Sequence, residues 1–200
     1  MPTTIEDAPN ALSLLSSIYL CKPSKGVIEN WKSLLVEHTI LLHDLTDSIN
    51  KIDTNSEKQL EDLLWEYTRL FIGPYRLPCP PWESVYTSPK RLMMQEAAVE
   101  VQHIYRTTGL TINASDIMPD HIGAELNFLS ILFLRMNTEV VGKNDYIKIA
   151  EKFLNEHLMK WVPQFTRNME EAADVLFYKA LARVTRNVLV SINETSLWQK

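Results

Sequence analysis

Residues 54–74 read TNSEKQLEDLLWEYTRLFIGP, and residues 73–86 continue as GPYRLPCPPWESVY. In the first stretch Leu60, Leu63, Leu64, Tyr67, Leu70 and Phe71 recur at steps of three and four. That spacing lines one face of an α-helix. Thr54 and Glu57 have capping-box spacing and predict its start. Gly73 and Pro74 predict its end, because glycine accepts the left-handed closing turn and proline cannot continue the ladder. The second stretch holds four of the chain's ten prolines. Proline fixes φ and lacks a donor, so neither a helix interior nor a central strand suits it. The stretch reads as a stiff extended loop. It carries Tyr75, Trp82 and Tyr86, which a plain spacer has no need of.

Outward from this unit, the helical pattern repeats. Asn10 is placed to cap a first helix with Leu12, Leu15, Ile18 and Tyr19, closed by Pro23. Residues 24–50 predict one or two helices, with Trp31, Leu34, Leu35, Leu41, Leu42 and Leu45 at apolar positions. Ser88 and Pro89 predict a cap and a first-turn proline for a helix through Met93, Ala97, Val101, Ile104 and Tyr105 to Gly109. After a connector at 110–118, Pro119 and Asp120 open a helix with Ile122, Leu126, Leu129 and Phe133 on one stripe. Gly142 and Asn144 precede another with Ile147, Ala150, Phe153, Leu154 and Leu158. Trp161 and Pro163 predict a break, and a last long helix runs from Phe165 or Thr166 through Ala173, Phe177, Leu181 and Val188. Seven or more helices and no clear strand make the class all-α. Residues 1–200 read as a single compact multi-helix domain with an ordered proline-rich loop, and a two-lobe seam would fall at 110–119.

Composition narrows the function. The 200 residues are 46% apolar and 22% charged, enough for one core and a soluble surface. Only five glycines occur, which disfavours glycine-loop nucleotide sites and turn-rich β folds. The net charge of -5 argues against a nucleic-acid surface but suits a basic peptide. Cys21 and Cys79 lie far apart without metal-ligand spacing, as expected of free thiols in a reducing compartment. The N-terminus lacks a basic-then-apolar leader pattern, and no run approaches the roughly 18 apolar residues of a membrane span. The expected location is the cytoplasm, with no stable membrane insertion.

The chemical candidates each have a plain structural alternative. Asp120 and His121 read either as a charged pair at a cleft mouth or as a carboxylate favoured by free helix N–H groups beside a histidine. Asp116, Asp120 and Glu125 read more simply as an N-terminal charge cluster than as a cation site, and HExxH is absent. No cofactor or metal is expected. Cys79 between prolines, with no GxSxG and no phosphate loop, gives no reason to assert catalysis. The aromatic set Tyr67, Phe71, Tyr75, Trp82 and Tyr86 reads either as a preordered peptide groove or as a plug for the core.

These residues carry a resemblance. Residues 66–86, EYTRLF followed by the proline-rich stretch, resemble the TorD/DmsD chaperones of twin-arginine-exported molybdoenzymes, nearest the dimethyl-sulfoxide-reductase-chaperone branch. MPDHIGAELNFLSILF at 118–133, FLNEHLMKWVPQF at 153–165 and FYKALA at 177–182 resemble further family segments in the expected order. The resemblance implies an all-helical chaperone, not an enzyme. Its partners would be the twin-arginine signal peptide and the apo catalytic subunit of a molybdopterin enzyme, with translocase or cofactor-biosynthesis proteins as further contacts. It implies that the chaperone assists cofactor insertion and prevents premature export. The family's peptide site maps to Tyr67, Leu70, Phe71, Tyr75, Pro81, Trp82, Ser84, Tyr86, Asp120 and His121, with Glu83 and Glu125 as added negative charge. Tyr67 and Tyr75 stand where the nearest branch tends to have tryptophan, and Glu83 where it often has glycine. Domain-swapped dimers and guanine-nucleotide or cofactor binding, features of some relatives, are not carried over. The alternatives are a chaperone of a non-exported nitrate-reductase-type subunit and, in another class, a nucleotide hydrolase.

Overall fold

The computed structural model describes residues 7–36, 42–74, 76–110, 117–138 and 142–195. The helices are α1 (Ala8–Leu20), α2 (Lys25–Val36), α3 (His43–Asn50), α4 (Glu57–Phe71), α5 (Glu83–Thr87), α6 (Glu96–Thr107), α7 (Ile122–Thr138), α8 (Lys143–Phe153), α9 (Met159–Ala172) and α10 (Leu176–Asn193). A π turn at Leu154–Leu158 joins α8 to α9. Among the described residues there is no strand, only one antiparallel bridge between Trp82 and His121. Leu41, Tyr75 and residues 111–116 of the expected connector lie outside the described residues.

The helix predicted in the opening stretch is α4. Its cap is Ser56 rather than Thr54: the Gln59 amide donates to Ser56 Oγ at 3.4 Å, and Gln59 Oε1 accepts from the Asp53 amide at 2.9 Å. Serine with glutamine three residues on satisfies free amides as a serine–glutamate box would. Thr54 instead donates to Glu29 on α2 at 3.1 Å. At the far end Gly73 takes φ 103 and its N–H donates to the Thr68 carbonyl at 2.9 Å, the glycine stop that was expected.

The centre of the core is the packing of α1 on α7. α1 buries Ala8, Ala11, Leu12, Leu14, Leu15, Ile18 and Tyr19, so it is covered on most of its circumference. Gly123 lets the two helices touch. A Cβ there would stand 2.5 Å from Leu20 Cγ, and Ser16 Oγ donates to the Gly123 carbonyl at 2.6 Å. Around this pair α10 packs against α9, α3 and α1. Tyr19, Tyr67, Phe71, Phe165 and Tyr178 fill the junction, mostly edge to face. Their buried hydroxyls are partnered: Tyr19 with Thr185 Oγ1 at 2.9 Å, Tyr67 to the Tyr19 carbonyl at 2.9 Å, Tyr178 to the Leu63 carbonyl at 3.0 Å.

Four boundaries differ from expectation. α1 starts at Ala8, ahead of Asn10, with Pro9 in its first turn. The proline-rich stretch is not extended to its end, because Glu83–Thr87 coil into α5. Ser88 therefore closes a helix instead of opening one, and α6 starts only at Glu96, after a loop in which Arg91 and Met94 take φ 52 and 58. Pro163 lies inside α9, where its missing N–H forfeits one ladder bond just after the wider π turn.

The break expected at Pro163 falls instead at Ala173, which adopts φ -70 and ψ 135. α4 dictates it from a distance. Arg69 Nη2 donates to the Ala172 carbonyl at 2.7 Å, and Glu66 Oε1 accepts from the Asp174 amide at 2.6 Å. One ion pair thus closes α9 and steers the entry to α10.

Candidate functional site

α5 is a single turn, too short to persist alone. Tertiary bonds hold it. Asp120 is fully buried, and its Oδ2 accepts from the Ser84 N–H at 3.0 Å and the Ser84 hydroxyl at 2.5 Å. The Asp120 carbonyl accepts from the Glu83 amide at 2.9 Å, and the Ile122 amide donates to the Pro81 carbonyl at 2.9 Å. Asp120 therefore caps α5 and not its own helix. His121 serves α7 instead, its Nδ1 accepting from the Gly123 N–H at 3.1 Å. Accepting needs a neutral ring, and burial holds the His121 pKa down, to about 4. The charged pair expected at a cleft mouth is thus a sealed carboxylate beside a neutral imidazole.

The two glutamates assigned to attract arginines are also withdrawn from solvent. Glu83 is buried, with His157 Nδ1 at 2.9 Å from its Oε2. Glu125 is buried, with its Oε2 accepting from Trp161 Nε1 at 3.0 Å. Burial first and the Glu83 charge second lift the Glu125 pKa well above the carboxylate range, against the opposing indole bond. Glu125 is therefore held toward its neutral form, whereas Glu83, though buried, still lines one surface depression. Cys79 is also sealed. Its Sγ faces the Leu70 carbonyl at 3.6 Å and burial pushes its thiol pKa up, so it is no activated nucleophile. Among the described residues no three His, Cys, Asp or Glu side chains cluster as metal ligands would.

Trp82 stands half-buried between two depressions, edge-on to His121 at 6.0 Å. On one side is a groove of about 1060 Å³, walled by Leu77, Pro78, Pro80, Leu92 and Met93, with Asn168 and Glu171 of α9 opposite. On the other is a hollow of about 320 Å³ that gathers Tyr67, Phe71, Trp82 and His121. A third depression of about 460 Å³ carries Glu96, Glu100 and Glu156, with Lys90 and Lys160, and shares Gln95 with the large groove. Of the expected set, four residues thus surround the small hollow. Leu70, Pro81, Ser84 and Asp120 lie in the interior beneath, and Tyr86 leans on Trp161 at 5.4 Å. Arg91, Leu92 and Asn168 belong to the groove but escaped the sequence reading, and Met93, read as a helix position, lines it too. Their signal was a run of apolar residues that turns out exposed, Leu92 at 53% and Met94 at 66%.

Residues 31–167 match the family described as nitrate reductase delta subunit. The chain is 28% identical over 182 residues to the chaperone protein TorD of Aliivibrio salmonicida, covering 84% of each. It is 31% identical over 137 residues to the Tat proofreading chaperone DmsD of Salmonella typhi, covering 68% of this chain and 61% of that one. In fold it resembles a crystal structure described as a redox enzyme maturation protein from Archaeoglobus fulgidus, with a TM-score of 0.64 over 89% of this chain and 92% of the other, at 24% identity. The chain belongs to the TorD/DmsD family of redox enzyme chaperones. Relatives from both the TorD and the DmsD branch match at similar identity, and they are named as chaperones, not as catalysts. No helix among the described residues is long and apolar enough to cross a membrane.

Proposed function

We propose that this chain is a cytoplasmic, system-specific chaperone that binds the twin-arginine signal peptide and the apo form of a molybdopterin-containing catalytic subunit. It holds that precursor back from export until the cofactor is inserted. The observation that carries this reading is the adjacency of an apolar groove and an acid-lined depression, joined at Gln95. A twin-arginine leader presents an arginine pair and an apolar run in one short segment. The apolar run lies against Trp82 and the proline-braced wall, whose preordering lowers the cost of binding. Glu96 and Glu100, one turn apart on α6, and Glu156 accept the guanidinium groups. Tyr67, Phe71 and His121 form the aromatic flank, to which the resemblance adds Tyr75. Leu70, Pro81, Ser84, Tyr86 and Asp120 act from beneath by fixing α5 and the loop.

Calorimetric titration with leader peptides from the host's molybdoenzymes tests this. Trp82→Ala, and Glu96→Lys with Glu100→Lys, should each weaken binding by about tenfold or more. Undiminished binding in both variants overturns the site. The nitrate reductase description of the family favours a second reading, a client that is not exported. Binding of a full-length apo subunit without a leader, together with no binding of any leader, would select it.

A further inference from the structure

The large groove is apolar but not neutral. Arg76 on the proline-rich loop and Arg91 on the loop after α5 both line it. Arg69, Arg183 and Arg186 sit in ion pairs, whereas Arg76 and Arg91 hold no carboxylate among the described residues. Glu171, the one acid lining this groove, stands on α9 and is paired with neither. The placement of Arg91 is built in. Its backbone takes φ 52, a region that bulky side chains rarely adopt, and its N–H closes a turn onto the Ser88 carbonyl at 3.0 Å.

Two uncompensated guanidinium groups beside apolar walls favour a planar anion and oppose another cation. We propose that the segment received by this groove is an apolar stretch of the client bearing a carboxylate, held by Arg76 and Arg91, and that the groove excludes the leader's arginine pair. Glu171 sets the orientation, because the client's carboxylate is repelled from the α9 wall toward the two arginines. The arginine pair is thereby left to the acid-lined depression beyond Gln95. This inference rests on the chaperone reading, yet it can fail separately.

The test is calorimetric titration of the full chain with short synthetic Leu/Ala/Gly peptides carrying one aspartate, one asparagine or an arginine pair. The aspartate peptide should bind about tenfold tighter than the asparagine peptide, and the arginine-pair peptide weakest in the groove. Arg76→Glu with Arg91→Glu should reverse that order. Both side chains are exposed, so thermal unfolding of the variant should be unchanged and will show that it folds. Equal affinity for the aspartate and asparagine peptides, or an aspartate preference that survives the charge reversal, overturns the inference. Leader binding that ignores both arginines sinks this inference and leaves the chaperone reading standing. Carboxylate-dependent peptide binding, with no binding of leaders or of client subunit, does the opposite.

Discussion

Glu66 and Glu125 are both buried glutamates, at 1% and 0% exposure, and burial leaves them in different charge states. Burial works to raise the pKa of each. At Glu66 the hydrogen bonds from Arg69, at 2.6 and 2.8 Å, the Asp174 amide and the guanidinium charge outweigh it and hold the carboxyl below its usual range. At Glu125 there is no cation, and the nearby Glu83 charge adds to burial. A buried acid is therefore not in itself a binding charge. Its partner decides whether it is an anion that ties helices together or a neutral filler of the core.

The largest way to break this comparison is Arg69→Met. It leaves Glu66 covered without its cation and frees the carbonyl that ends α9. We expect a loss of about 3 kcal/mol, the low end for a severed buried pair because Arg69 is itself 27% exposed. Urea unfolding reads it as a lowered midpoint at constant slope. A loss below about 1 kcal/mol would mean that Glu66 simply takes up a proton, and the contrast with Glu125 would collapse.

Asp120→Ala comes next. It removes the acceptor of two Ser84 donors and the outside cap of α5, at a cost of about 2 kcal/mol. Because α5 follows directly on Trp82, leader binding should fall with it, and unchanged leader affinity would detach the cap from the site.

His121 brings a pH dependence with a definite sign. The unfolded chain takes up this proton near pH 6.5, the folded chain only near 4. Stability from this group is full above 6.5 and is lost progressively as pH falls from there toward 4. The stability difference between the wild type and His121→Asn across the window isolates it. A flat difference would place a proton on the imidazole in the fold.

Glu125→Gln should have the smallest effect and the opposite sign. The folded chain keeps a proton that the unfolded chain releases above 4.5, so the wild type loses stability as pH rises from there. The variant escapes this and should be more stable at neutral pH by about 1 kcal/mol, with the gap closing in acid. A destabilised variant at neutral pH would put a charge on Glu125.

How much could be read in advance follows the range of the causes. The α4 periodicity, the Gly73 stop and the apolar stripe Ile122, Leu126, Leu129 and Phe133 are local and were legible. Pro163 misled because a proline rule was applied without the π turn ahead of it. Ser88–Pro89 misled because a helix cap and a helix stop share the same residues. Of the candidate set, Trp82 and His121 are brought side by side by the fold, whereas Asp120, Glu83 and Glu125 were read as charges open to a ligand and are buried. Their partners Ser84, His157 and Trp161 lie 36 to 74 residues away.

The sequence by itself determined an all-helical chain, the bounds of elements such as α4 and the family, because periodicity, glycine stops and proline geometry act within a few residues. Only the tertiary structure decided where α9 gives way to α10, which carboxylates stay charged, and that Arg76 and Arg91 line the large groove opposite a single acid. Those outcomes depend on which groups meet across the core and on what that meeting leaves exposed, and local spacing records neither.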